Sequence, residues 1–157
     1  QFDQSLSWDD IEWFKQHWGR KIVLKGIQTI EDAKLSVQHG VDAIALSNHG
    51  GRQLDDAPNP IDLVQPVFNA VGGQVEIFCD GGIRRGSDIV KAIALGADAC
   101  MIGRPFLYGL GAAGEKGVDW VLNFLKEGMH QTMALLGAKN LTDLHPDLIE
   151  RRRKVRA

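Results

Sequence analysis

Four short apolar runs, at residues 22–24, 43–46, 75–79 and 99–102, alternate with stretches whose apolar positions recur at helical spacing. The helical stretches fall at 30–39, 61–71, 86–95 and 118–136, and each follows one of the runs. Apolar runs of three to five residues, interrupted here only by Glu76, are what parallel strands covered on both faces look like, because neither face can be polar. Before the first run, Ser7-Trp8-Asp9-Asp10 has the S-x-x-D form of a helix start, with Ile11, Trp13, Phe14 and Trp18 as the apolar positions of that helix. Pro60 opens the 61–71 helix and Gly72-Gly73 closes it. The pattern predicts four βα units in one α/β domain, with 50–59 and 105–117 as glycine- and proline-punctuated excursions rather than linkers.

The chemistry-bearing residues cluster where strands end. Directly after the 43–46 run comes Ser47-Asn48-His49-Gly50-Gly51-Arg52-Gln53-Leu54-Asp55. Gly50 and Gly51 permit backbone conformations that a Cβ forbids and let a ligand approach the chain closely. His49 is a proton acceptor near neutral pH, and Arg52 is a planar clamp for a carboxylate. Lys25 ends the first strand. Asp80-Gly81-Gly82-Ile83-Arg84 and Gly103-Arg104 end the last two, where glycine amides and guanidinium groups suit an anion such as a phosphate, a generic sugar phosphate included.

Composition narrows the class without choosing a function. The chain is 44% apolar and 24% charged, with a formal net charge of −2, and no apolar stretch approaches the length of a membrane span. Neither nucleic acid nor membrane is suggested as a partner. Cys79 and Cys100 lie in apolar runs without metal or redox spacing, and are expected to be buried thiols of a reducing, cytoplasmic protein. His17, His39, His130 and His145 lack ligand-like spacing, so no metal is expected. The basic tail at 149–157 reads as a solvated terminus, with docking on a partner subunit as the sharper alternative.

The segment from Ser47 to Asp55 resembles the active-site signature of the FMN-dependent α-hydroxy-acid dehydrogenases and oxidases: glycolate oxidase, lactate oxidase and monooxygenase, mandelate dehydrogenase and the flavin domain of flavocytochrome b2. Val23-Leu24-Lys25-Gly26-Ile27, Asp80-Gly81-Gly82-Ile83-Arg84-Arg85-Gly86 and Ile102-Gly103-Arg104-Pro105 resemble the family's other flavin-contacting segments, in the same order. The resemblance runs from about Trp8 to about Leu148. It implies a (β/α)8 TIM barrel, of which this chain supplies about the C-terminal four βα units. A complete barrel takes about 250 residues, and the chain has 157. A half-barrel is expected to expose two sheet edges.

The same resemblance implies roles. Lys25 would approach the N1–C2 oxygen region of the flavin, where a cation stabilises the charge gained on reduction. Ser47 would contact the ring, unless it caps local backbone instead. Asp80, Gly81, Gly82, Ile83, Arg84, Gly103 and Arg104 would hold the rest of FMN, with its phosphate at Arg84 and Arg104, in the place where barrels bind phosphate. His49 would take a proton from an L-2-hydroxy acid whose carboxylate Arg52 holds, and the product would be the 2-keto acid. The electron acceptor would be oxygen, a quinone or a cytochrome, and the enzyme a homo-oligomer. The family's substrate-binding tyrosines, and the aspartate that orients its histidine, have no counterpart in this chain, so weak or no turnover is expected of residues 1–157 alone. Tyr108 and Trp120 are expected to pack rather than to wall the substrate. Two other classes compete: a non-catalytic half-barrel assembly element, and another FMN- or phosphate-binding barrel enzyme.

Overall fold

The structure, a computed structural model, describes residues 5–150; the tail from 151 onward lies outside the described residues. Helix α1 spans Asp10–Trp18, and four βα units follow: β1 Val23–Ile27 with α2 Ile30–Gln38, β2 Ala43–Ser47 with α3 Pro60–Val71, β3 Glu76–Asp80 with α4 Gly86–Ala94, and β4 Ala99–Met101 with α5 Arg104–Leu136. The strands form one parallel sheet in the order β1-β2-β3-β4. Sequential order with a helix after every strand is the arrangement the alternating pattern calls for.

Burial falls off from the centre of the sheet to its edges. All five residues of β2 are buried, and Ile44 and Leu46 are fully so; β3 buries only Ile77 and Cys79. At the edges, Val23 of β1 and Met101 of β4 are exposed. The core lies between β2, β3 and the helices α2 and α3, with Val64, Val67 and Ile77 fully buried. Burial of a side chain of this size contributes about 1.5–3 kcal/mol.

Local signals explain most helix starts. Thr29 accepts the Asp32 amide at 3.0 Å at the head of α2, and Pro60 is the first residue of α3. At α1 the Ser7 amide and hydroxyl donate to the Asp10 carboxylate at 2.6 and 3.0 Å. Asp88 does the same work for α4, accepting both the Arg84 and the Arg85 amide at 3.0 Å.

The helix read from Ser7-Trp8-Asp9-Asp10 is present as α1, and of its apolar positions only Ile11 is buried, while Trp13, Phe14 and Trp18 are exposed. Two expectations fail. The 105–117 stretch is helical: α5 starts at Arg104 and breaks at Ala113 and Gly114 before running on to Leu136. Its glycines mark a close crossing of the two arms rather than a loop, since a Cβ on Gly109 would sit 2.4 Å from the Gly117 carbonyl oxygen. Tyr108 and Trp120, one on each arm, are exposed rather than packed, and Trp120 stacks on Phe124 at 5.4 Å.

Candidate active site

Parallel strands with a helix after each leave all four strand C-termini on one rim, and a cleft of about 1000 Å³ opens there. That is at the upper end of the range for small-molecule sites. Lys25 is the middle residue of β1, which runs on to Ile27 instead of ending at Lys25. His49, Gly50 and Arg52 come from the loop after β2, Asp80 from the last position of β3 with Gly81 to Arg84 in the loop behind it, and Gly103 and Arg104 from the junction of β4 and α5.

The inner end of the cleft is a hydrogen-bonded cluster built from three strands. The Lys25 Nζ lies 2.7 Å from Asp80 Oδ2 and donates to Ser47 Oγ at 3.2 Å. Ser47, fully buried, donates its one proton to Asp80 Oδ2 at 2.6 Å and accepts the His49 amide at 3.1 Å. A hydroxyl with one donor and two acceptor positions is thereby fully used. Burial pushes the Asp80 carboxyl up, but hydrogen bonds from Lys25 and Ser47, with the charges of Lys25 and His49, outweigh it and hold the group below its usual 3.8. Asp80 is thus an anion that shares the charge of Lys25.

His49 is placed by backbone as much as by side chains. It adopts a left-handed φ of 54°, followed by Gly50 at 72° and Gly51 at 70°. For a residue with a Cβ this conformation is uncommon and is held by its surroundings. Ser47 holds the His49 amide from below, and Asn48 Oδ1 accepts the Gly50 amide at 3.1 Å. Gly26 makes the room for the ring: it interrupts the β1–β2 register with φ 103°, and a Cβ there would lie 2.8 Å from His49 Cε1.

The outer end is looser. Arg52 and Arg84 are exposed, and Arg104 donates from Nη2 to the Gly50 carbonyl at 3.1 Å. Gly82 and Gly103 face open space, so their backbone can meet a ligand directly. The Arg84 and Arg85 amides, however, are already taken by Asp88. Anion-binding amides must therefore come from Gly81 to Ile83 and from the start of α5.

Of the expected site residues, Ser47 alone does not line the cleft; it lies beneath it, where its bonds position Lys25 and His49. Ile83 is buried in the core, which leaves its backbone to face a ligand. Sequence reasoning missed Gly26 and Asp88 as shaping residues. A glycine inside an apolar strand and an aspartate at the third position of a helix were the available signals. Of the two thiols expected to be buried, Cys79 is and Cys100, at the sheet edge on β4, is only partly so. Burial, with the Asp80 charge, pushes Cys79 up to about 11, and burial, with Cys79 and Asp88, pushes Cys100 up to about 12.

A parallel βα sheet with a basic, glycine-lined cleft on its C-terminal rim defines the class of phosphate-binding α/β enzymes. Residues 1–151 match the model of the FMN-dependent dehydrogenases, and the chain belongs to that family. It is 49% identical over 148 residues to 2-hydroxyacid oxidase 2 of Bos taurus, which covers 94% of this chain and 42% of that protein. To a putative L-lactate dehydrogenase of Mycobacterium tuberculosis it is 50% identical over 154 residues, 98% of this chain and 37% of that protein. A solved mandelate oxidase variant with a monooxide FMN adduct superposes on 90% of this chain and 45% of its own with a TM-score of 0.86, at 41% identity. The chain spans about two fifths of the length of the curated relatives it matches. FMN is the family's cofactor, and the cleft suits it: two arginines and open glycine backbone at one end, a lysine at the other.

Proposed function

We propose that the protein oxidises an L-2-hydroxy acid to the 2-keto acid with FMN, on a (β/α)8 barrel to which this chain contributes four units. The observation that carries the reading is the loop after β2, where His49 opens a left-handed turn whose backbone is fixed to the Lys25–Ser47–Asp80 cluster and Arg52 follows that turn directly. Bound FMN supplies a two-electron acceptor. Lys25 would face its ring, Gly82, Gly103, Arg84 and Arg104 its phosphate end. Arg52 binds the substrate carboxylate through two parallel N–H bonds and sets the α-carbon. His49 would take the hydroxyl proton while the α-C–H bond breaks and its hydrogen leaves with the bonding pair, the two electrons that bound FMN would accept, and what remains is the keto acid.

The electron acceptor that reoxidises the protein is proposed to be oxygen, a quinone or a cytochrome. The whole enzyme is proposed to be a cytoplasmic homo-oligomer; of these two properties the free thiols Cys79 and Cys100 bear only on the first, since they suit a reducing compartment. Residues 1–157 alone should turn over slowly, because the open edges at Val23 and Met101 leave the cleft wetter than a closed barrel would. The test is product analysis: the intact protein, loaded with FMN, is incubated with L- and D-2-hydroxy acids, and keto acid is measured. Keto acid from the L-series only supports the reading. FMN binding without any keto acid would point to another FMN-dependent barrel enzyme.

A further inference from the structure

Arg104 stands at the anion end of the cleft, yet its hydrogen bond in this structure goes to the catalytic loop. Its Nη2 donates to the Gly50 carbonyl, 54 residues away in sequence, at 3.1 Å. Among the described residues, the other bonds of the His49–Gly51 turn come from within its own βα unit: Ser47 Oγ to the His49 amide, Asn48 Oδ1 to the Gly50 amide and the Asn48 carbonyl to the Gly51 amide. Arg104 is what reaches the turn from a different unit. The contact is close: a Cβ on Gly50 would lie 2.9 Å from Nη2, so a side chain there would push the guanidinium tip aside. A guanidinium carries five N–H donors in a rigid plane. One edge is spent on Gly50, and the Nη1 side has no hydrogen bond among the described residues.

From this geometry we propose that Arg104 is a positioning residue for His49: one guanidinium bridges the cofactor phosphate and the Gly50 carbonyl, so phosphate occupancy and order of the catalytic turn are coupled. The proposal rests on the flavin reading for the identity of the anion, but not for the tether itself. A phosphate on the Nη1 side fixes the guanidinium plane, and with it the carbonyl one residue from His49. Lysine at this position keeps the charge but offers a single ammonium, which cannot hold both partners in a plane.

Hydrogen exchange of the peptide covering residues 48–54 reads the tether directly, in the intact protein freed of FMN and then saturated with FMN or with riboflavin. In the wild type, FMN should slow exchange of this peptide more than riboflavin does, because riboflavin has no phosphate. In Arg104→Lys the peptide should exchange about tenfold faster than wild type, with FMN present or absent, the factor expected for loss of one hydrogen bond to a charged group. Peptides of β2 report that the fold is kept. Substrate-dependent flavin reduction in FMN-saturated Arg104→Lys should slow, while FMN itself stays bound. The proposal is overturned if the Arg104→Lys turn exchanges as slowly as wild type, or if FMN protects the wild-type turn no more than riboflavin. A protein that takes up no FMN would sink the flavin reading instead, while the cofactor-free comparison of Arg104→Lys with wild type still decides the tether.

Discussion

The two ends of the cleft are built on different physical terms. At the inner end Lys25, Ser47 and Asp80 come from three adjacent strands and satisfy one another within 2.6–3.2 Å, over a serine with no exposed surface. At the outer end Arg52 and Arg84 sit on loops, exposed, and bond no described residue through their side chains. The contrast separates preorganisation from capture. A cluster locked into a sheet cannot relax when charge develops beside it, which is the condition for electrostatic stabilisation of a reaction. Long arginines on glycine loops can instead close around an incoming carboxylate or phosphate, at the cost of ordering them. His49 joins the two regions: its amide is fixed by the buried serine, and its turn is held from the outer side by Arg104.

The largest expected effect tests the junction. In the intact, FMN-loaded protein, His49→Gln should lower the rate of flavin reduction by substrate by about 10²- to 10⁴-fold, the range for loss of a general base, with FMN still bound. Near-normal reduction would detach the chemistry from this turn. Next is the outer end: Arg104→Ala should raise the FMN dissociation constant by about ten- to more than a hundred-fold and leave riboflavin affinity nearly unchanged, since a hydrogen bond to a charged group contributes about 1.5–3 kcal/mol. Equal weakening toward both ligands, in a titration followed by fluorescence, would mean a folding defect. Arg52→Lys should cost about tenfold in kcat/KM, because one point charge replaces a two-bond clamp; unchanged inhibition by oxalate would count against the clamp.

The smallest effect belongs to the inner end. Asp80 is held below its usual pKa in the folded chain, so the stability it contributes is fully present above the unfolded carboxyl value near 3.8 and is lost as pH falls through the lower folded value. Urea midpoints compared between wild type and Asp80→Asn should therefore converge as pH drops below about 4, the window set by that 3.8. Midpoints that stay equally far apart from neutrality down to strong acid would show that the carboxylate charge is not what the cluster uses.

The same contrast governs how much of the molecule is legible in its chain. The four strands are readable within two or three residues, because a short continuous apolar run followed by a helical pattern fits a strand covered on both faces and little else. The loop after β2 announces itself by placing histidine and arginine around two glycines. Ser47 is harder to place, since sequence shows that a serine ends a strand and not that its hydroxyl is consumed below the cleft. Asp80 looks like a cofactor contact, whereas its ion pair with Lys25 depends on strand register, which sequence does not display. The first arm of α5 is hidden by its own glycines, whose reason is the crossing at Gly109 and Gly117. Exposed Trp13 and Trp120 obey helical spacing, yet spacing alone does not say what covers a helix face.

The most direct test of the division between fixed chemistry and adaptable capture is anaerobic rapid mixing of the FMN-loaded intact protein with an L-2-hydroxy acid, run side by side for wild type, His49→Gln and Arg104→Ala. The account predicts that the wild-type flavin bleaches in a single turnover, that His49→Gln keeps its flavin and barely bleaches, and that Arg104→Ala, once supplied with enough FMN to fill it, bleaches far faster than His49→Gln. A His49→Gln protein that bleaches as fast as wild type would contradict it.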